Sequence, residues 1–398
     1  MIRDRGVKKI KLFIDNVDIS DSWYTIDIFE SIDAPTWSCS IDILDGRNLL
    51  EEIPIIHCSE IKIQVETQDN CSTDEYVEFK FFIYKIGDKV AQNQNIETFN
   101  VKGVTKAFLV NNTRRLTKRF DEMKLTEILY SVSKNTFPDM ITEVGTESDN
   151  ASSVLLNNWS PFISIGWLLK QTHKDNRADF MFYQSDIDVF KIDSIESMYT
   201  DSKNKINEII TYKVENTGRA NHYNIIKHAW EHVDVQQNLQ NGYYKSTVAS
   251  YDFFNKSYGQ SVYNHGDDKK EDLKIAPQWK DSLFDNSEAS VISFVPKMPG
   301  VLNNETGYDD ADKWVPSRRA VLQRLDSEKF SAQLRGSIGM YKWLGKHIYI
   351  DMPSNNAGSG EFYSRFRKGN YLITAIAHHF TPSMYITNFE FVKLRVEE

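Results

Sequence analysis

Residues 369–396 constrain the fold more than any other segment, because they form two long strand-like runs separated by a short turn. The turn sequence Thr-Pro-Ser at 381–383 is typical of a connection between strands, so a β-hairpin is predicted here. Just upstream, residues 328–338 and 346–353 alternate apolar and polar side chains with the period of a half-buried strand. A small antiparallel barrel or sandwich is therefore expected in this part of the chain.

The first hundred residues predict about six strands of the same kind. In residues 36–44, Trp37, Cys39, Ile41 and Ile43 alternate with polar residues, which predicts one buried and one wet face. Further strand-like runs lie at 10–14, 59–67, 75–86 and 95–110. That number of strands is enough for a closed or nearly closed β-module.

The middle of the chain changes to a helical period. In residues 124–135 apolar side chains recur at i, i+3, i+4 and i+7 from Leu125, the spacing of one helical face. A second helix is predicted at 160–175, with Ser160 as the N-cap and Pro161 as the first helical residue. A short strand pair is predicted at 179–184 and 188–194, and a short helix at 316–327.

With 398 residues the chain is long enough for two or three domains. We predict an α+β fold that is mainly β, with two antiparallel barrel or sandwich modules and a mixed α/β domain between them. The predicted bounds are 1–111 for the first module, 112–215 for the middle domain and 216–398 for the second module. A polar insertion at about 258–316 interrupts the second module and is too long for an ordinary loop.

The net charge of −9 disfavours a protein that binds nucleic acid by neutralising phosphates. The one notable basic cluster contains Arg114, Arg115, Lys118 and Arg119. We interpret it as a solvated surface or a partner contact, with a nucleic-acid patch as the alternative.

Cysteine usage and hydropathy bear on where the chain folds. Cys39, Cys58 and Cys71 are odd in number and irregularly spaced, which does not predict a disulfide framework. The first residues lack the apolar core of a signal peptide, and no apolar run reaches the roughly 18 residues of a membrane span. We therefore expect folding in a reducing cytoplasm, no integral membrane contact, and a final location reached by assembly.

The segment His-Ala-Trp-Glu-His at 228–232 matches the inverted zinc-peptidase pattern H-x-x-E-H. That chemistry needs His228 and His232 on one helical turn, whereas on a strand they would be about 13 Å apart. Because the flanking residues fit a strand equally well, we interpret both as surface histidines and predict no metal or cofactor. A metal-dependent hydrolase using these two residues is an alternative function.

Two further groups of polar residues are candidates for a metal site. His378 and His379 are adjacent on a predicted strand and point to opposite faces, which predicts a core histidine beside a surface one. Asp309, Asp310 and Asp312 lack the later glycine and glutamate of a calcium-binding loop, so we interpret them as part of a solvated loop, with an adventitious cation as the alternative.

Exposed aromatic residues on a β-module could bind glycans. Tyr243, Tyr244 and Trp279 are the candidates for a carbohydrate- or receptor-binding virion protein, with ordinary packing as the competing interpretation.

The sequence has no Walker loop, no G-x-S-x-G elbow and no G-x-G-x-x-G motif, so we predict that the protein is not an enzyme.

The order of modules resembles that of the baseplate central hub proteins of tailed phages. The segments that carry this resemblance are 36–67, 160–171, 316–338, 345–353 and 369–380. The resemblance implies a homotrimer in which each subunit contributes two tube-protein-like barrels, giving a pseudo-sixfold ring. Such a ring joins the sixfold tail tube to the threefold central spike.

The resemblance also implies partners and a location. The expected partners are the tail tube protein, the central spike protein, and baseplate wedge or tape measure proteins, in a virion assembled in the host cytoplasm. The equivalent region forms the N-terminal part of type VI secretion spike proteins, in which the same chain continues into the spike. Because this sequence stops at Glu398, the spike is expected to be a separate polypeptide. The family implies no catalytic residues, and the acidic balance suits a channel that DNA passes without specific binding during genome ejection.

Overall fold

The computed structural model describes residues 7–46, 49, 58–67, 76–87, 89–93, 96–175, 177–212, 222–231, 234–243, 245–252, 256–264, 291–297, 311–327, 329–352 and 367–393. The strands are β1 Val7–Ile14, β2 Val17–Asp18, β3 Trp23–Ser31, β4 Ser38–Asp45, β5 Glu60–Thr67, β6 Tyr76–Ile86, β7 Val90–Asn93, β8 Ile96–Val104, β9 Leu116–Lys124, β10 Ile141–Val144, β11 Ala151–Trp159, β12 Phe180–Asp186, β13 Val189–Ser194, β14 Lys205–Thr211, β15 His222–Trp230, β16 Lys245–Asp252, β17 Ser257–Asn264, β18 Val291–Lys297, β19 Lys329–Arg335, β20 His347–Asp351, β21 Gly369–Thr381 and β22 Met384–Val392. The helices are α1 Lys106–Thr113, α2 Leu125–Thr136, α3 Pro161–Gln171, α4 Ile195–Thr200, α5 Val235–Gln240 and α6 Ala311–Ser327, with short 3-10 turns at Ser202–Asn204 and Ile338–Lys342.

The first module is a sheet in the order β2-β1-β5-β6-β8-β4-β3, with β7 beside β6 on the same edge of β8. The predicted alternation is confirmed in β4, where Cys39, Ile41 and Ile43 are buried while Asp42 is exposed. These side chains pack with residues of the other strands around one apolar core. Cys58, in contrast, is exposed.

The second module is a closed six-stranded barrel in the order β21-β20-β14-β15-β19-β22, with β22 returning to β21. The closing hairpin β21–β22 turns at Pro382 and Ser383, as predicted. Its core is aromatic, with Phe330, Tyr371 and Phe391 fully buried. Strand β14 runs parallel to both of its neighbours, so the barrel is mixed rather than wholly antiparallel.

Between the modules, α2 and α3 pack on small sheets formed by β9–β11 and by β10-β13-β12. Both predicted helices are confirmed, and Pro161 opens α3, although the hydroxyl of the N-cap residue Ser160 makes no capping bond. The strand predicted over 95–110 was too long, because β8 ends at Val104 and α1 follows. In α1, Ala107 and Asn111 are buried four residues apart, which is the spacing of a helix.

A separate three-stranded sheet, β17-β16-β18, packs against α6. The helix predicted to start at Pro316 begins at Ala311 instead, and the proline lies inside it, where its missing N–H removes one helical hydrogen bond. The α+β, mainly β fold is confirmed. The separate sheet begins at Lys245, before the predicted insertion at about 258–316, and much of that insertion lies outside the described residues.

Candidate assembly site at the seam between the barrels

Strand β21 belongs to both modules. Along one edge it pairs with β20 at Gly369–Leu372 and then with β3 at Ala375–Phe380, while its other edge pairs with β22. We call the paired residues of β3 and β21 the seam. Because backbone hydrogen bonds cross the seam, one continuous sheet joins the first module to the second barrel.

A chain of hydrogen-bonded side chains lies inside the seam. Glu30 and His378 are both buried, and Glu30 Oε1 lies 3.0 Å from His378 Nε2. His378 Nδ1 lies 2.7 Å from the hydroxyl oxygen of Tyr385, which in turn donates to the carbonyl of Ser337 at 3.3 Å. The chain thus connects β3, β21, β22 and the loop before the Ile338–Lys342 turn.

Burial determines which of these hydrogen-bonded side chains carry a proton. Burial, with a smaller effect from the charge of Asp186, raises the pKa of Glu30 well above its usual value, and burial lowers the pKa of His378 to about 3. Glu30 Oε2 is buried and has no hydrogen-bond partner among the described residues, a situation that a neutral acid tolerates far better than a carboxylate. Protonated Glu30 therefore donates to neutral His378 Nε2, and Nδ1–H of the histidine donates to Tyr385.

A second pair lies on the outer side of the seam. His379 Nδ1 is 2.6 Å from Asp27 Oδ1, and each side chain is about one third exposed. The prediction that His378 and His379 point to opposite faces, one in the core and one at the surface, is confirmed. Both histidines of β21 thus contact carboxyl groups of β3, one inside and one outside.

A shallow groove of about 400 Å³ crosses the outer face of the seam. It is lined mainly by small and polar residues of β3, β19, β21 and β22, among them Ser331, Ala375, Ala377 and Asn388. Phe29 stands opposite Ala377 and is 44% exposed, because alanine is too small to cover it. An aromatic ring on a smooth sheet surface can anchor a contact with another protein.

The sequence contains one sign of this site, which is an acidic residue at an inward-facing position of β3. In β3, Ile26, Ile28 and Glu30 follow one another at alternate positions, so a carboxyl group occupies a core-facing place. A charged residue in an inward series requires a buried partner. The identity of that partner, His378, depends on the β3–β21 pairing.

The predicted metal candidates are not brought together by the described part of the chain. His228 lies exposed in strand β15, with its ring 4.8 Å from that of Tyr212, and His232 lies outside the described residues. The peptidase pattern requires a helix, whereas His228 is on a strand. Among the described residues there is no group of three or more side chains suited to a metal ion.

The other sequence candidates are placed as follows. Tyr243 is buried and packs with Ala320, while Tyr244 and Trp279 lie outside the described residues. Asp309 and Asp310 also lie outside them, and Asp312 is in α6.

The basic cluster is exposed and makes local contacts. Arg114 donates to the carbonyl of Thr136 at the end of α2, at 3.0 Å, and Arg119 pairs with Asp121 at 2.7 Å. The Lys118 ammonium lies over the ring of Phe120. Arg115 donates to the carbonyl of Arg114, so these residues brace the entry to the β9–β11 hairpin.

The fold of this chain, with two β-modules that share a strand and a mixed α/β region between them, is similar to the fold of phage tail proteins. The 43 kDa tail protein of prophage MuSo2 from Shewanella oneidensis has this fold, with a TM-score of 0.59, 12% identity, and coverage of 97% of this chain and 98% of that one. A tail protein from Neisseria meningitidis MC58 matches with a TM-score of 0.60, 8% identity, and coverage of 98% of both chains. The predicted resemblance is confirmed at the level of fold.

The likeness lies in structure rather than in sequence. No protein-family model matches the chain, and a comparison with curated proteins gave no match. Within the described residues, no helix combines the length and the apolar character needed to cross a membrane.

Proposed function

We propose that this chain is a structural virion protein, the central hub of a phage baseplate, which joins the tail tube to the central spike. The observation that carries the proposal is that tail proteins share the fold over nearly the whole of both chains. Two β-modules fused in one polypeptide add to it, because a trimer of such a chain would present six modules.

Three copies of a chain with two β-modules supply six modules. A homotrimer would therefore offer pseudo-sixfold symmetry to the tail tube and true threefold symmetry to the spike. The seam supports this role, since shared backbone hydrogen bonds hold the two β-modules of each subunit at a fixed angle. In this proposal the domains are 1–111, 112–215 and 216–398, with the insertion at about 258–316, and β14 (Lys205–Thr211) crosses from the middle domain into the second barrel.

The charge of the chain supports a passage for DNA. A net charge of −9 repels phosphate at long range, so a lumen lined by this protein would let DNA pass without binding it. The proposed partners are the tube, spike, and wedge or tape measure proteins, in a virion assembled in the host cytoplasm.

The test is light scattering of the purified chain together with negative-stain imaging. We expect a mass of three subunits and a threefold ring with a central opening. A compact monomer at every concentration, both alone and mixed with the co-expressed spike protein, would contradict the proposal.

A further inference from the structure

Strand β6 has one edge that is only partly paired. Its first edge pairs with β5 from Tyr76 to Phe82, and its second edge pairs with β8 from Phe82 to Ile86. Along the second edge, no described strand pairs with residues 76–81. We call this the open edge.

The backbone groups at the open edge can be assigned from the neighbouring ladder. The Ile83 N–H donates to the carbonyl of Ser59, the residue before β5, at 3.0 Å, so the backbone groups of Ile83 face the β5 side. Because backbone groups alternate between the two edges of a strand, Phe79 faces β5 as well, whereas Glu78 and Lys80 face away. The N–H and C=O groups of Glu78 and Lys80 thus point out of the sheet at the open edge.

A cleft of about 470 Å³ lies beside this edge, between β6, α1 and the loop that follows α2. Its apolar lining combines the partly exposed side chains of Phe82, Val110 and Met140 with the buried rings of Trp37, Phe79, Phe81 and Phe137. The charged residues that line it are balanced, three basic and three acidic: Lys80, Lys106, Arg114, Glu60, Asp139 and Asp188. The cleft therefore has no net charge with which to select an ionic ligand, and apolar contact dominates.

We propose that the open edge is a strand-addition site that binds an extended segment of another polypeptide, with apolar side chains at alternate positions. The N–H and C=O groups of Glu78 and Lys80, which no other described strand pairs with, would hydrogen-bond to the backbone of the added strand, and every second side chain would enter the cleft. Exposed strand edges bind other chains unless they are covered or blunted, and here an apolar cleft accompanies the edge. The proposal goes beyond the hub function and does not depend on it.

The probe is a fluorescein-labelled peptide of residues 96–104, the sequence of β8, because that strand already pairs antiparallel with the same edge of β6. Its binding to the full chain is measured by fluorescence anisotropy. Lys80→Pro removes the N–H that faces the open edge and leaves every N–H that faces β5 in place. Proline is tolerated at such edge positions, so the variant should fold. Lys80→Ala is the matched control, because it also loses the ion pair of Lys80 with Glu78.

We expect saturable binding by the wild type and by Lys80→Ala, and at least tenfold weaker binding by Lys80→Pro. Residue-resolved hydrogen exchange on the wild type gives a second measurement that does not depend on the variants. The amides of Glu78 and Lys80 should exchange faster than that of Phe79 and should slow when the peptide is added. Absence of saturable binding by the wild type, equal binding by Lys80→Pro, or protected Glu78 and Lys80 amides in the free chain would overturn the proposal.

Discussion

Glu30 and His378 meet inside the seam, with Oε1 and Nε2 3.0 Å apart, although the two residues lie 348 positions apart in the chain. Both are buried, one on β3 of the first module and the other on β21 of the second barrel. Their contact places a hydrogen bond between buried polar groups in the junction of the two modules. A substitution of either residue should therefore lower the stability of both modules.

Removing the Glu30 carboxyl should destabilise the seam. We expect Glu30→Ala to cost about 3 kcal/mol, because it leaves a cavity and an unpaired buried ring nitrogen on His378. Glu30→Gln keeps a donor at the same place and should cost less than about 1 kcal/mol. Denaturant unfolding of both variants measures the difference, and equal losses would show that the hydrogen bond is unimportant.

The same pair should give a stability plateau between about pH 4.5 and 6.5. The folded pair holds one proton, because burial raises the pKa of Glu30 and lowers that of His378 to about 3. The contribution of Glu30 is present below its unfolded pKa of about 4.5 and is lost as pH rises toward the raised value. That of His378 is present above about 6.5 and is lost as pH falls toward 3.

The Glu30→Gln variant isolates one side of this balance. Relative to it, the wild type should lose stability as pH rises above about 4.5, by up to about 1.4 kcal/mol per pH unit. Thermal or denaturant unfolding at a series of pH values measures this difference, in which the other ionisable groups cancel. A difference that does not change with pH would contradict the assigned protonation.

The two histidines of the seam should contribute unequally to the free energy of unfolding. His379→Ala removes a partly exposed contact with Asp27 and should cost no more than about 1 kcal/mol. His378→Ala leaves a buried carboxyl group and the Tyr385 hydroxyl without their partner, and should cost about 3 kcal/mol. The two unfolding curves are matched controls for each other, and a larger loss in His379→Ala would reverse our ranking.

Gly345 should not tolerate a side chain. Its φ of +69° lies in the left-handed region, and an added Cβ would collide with the buried hydroxyl of Tyr183. We expect Gly345→Ala to cost about 2 kcal/mol or more. At Gly339 an added Cβ meets nothing within 4 Å, so Gly339→Ala serves as the control and should change the melting temperature little.

Much of the fold could be predicted because its signals are local. The alternation in β4, the turn at 381–383 and the helical stripe that starts at Leu125 depend only on neighbouring residues, and the structure confirms all three. The parallel placement of β14 between β15 and β20 depends on distant pairing, and its short sequence carries no sign of it.

The residues of the seam could be predicted from the sequence only in part. The alternation of β3 marks Glu30 as an inward residue, and that of β21 separates His378 from His379. Neither pattern says that the two strands pair, because register between segments hundreds of residues apart is set by tertiary packing. The helix α1 was missed for a related reason, since Val110 and its neighbours fit a strand as well as a helical face.

The sharing of β21 has a consequence for biosynthesis. During translation the seam edge of β3 is made more than 340 residues before the strand that covers it, so it remains an unprotected template for pairing while most of the chain is still to be synthesised. Contacts of such long sequence separation also slow folding. The cell's chaperones would therefore be expected to engage the nascent first module, and co-expression of a chaperone should raise the soluble yield of this protein.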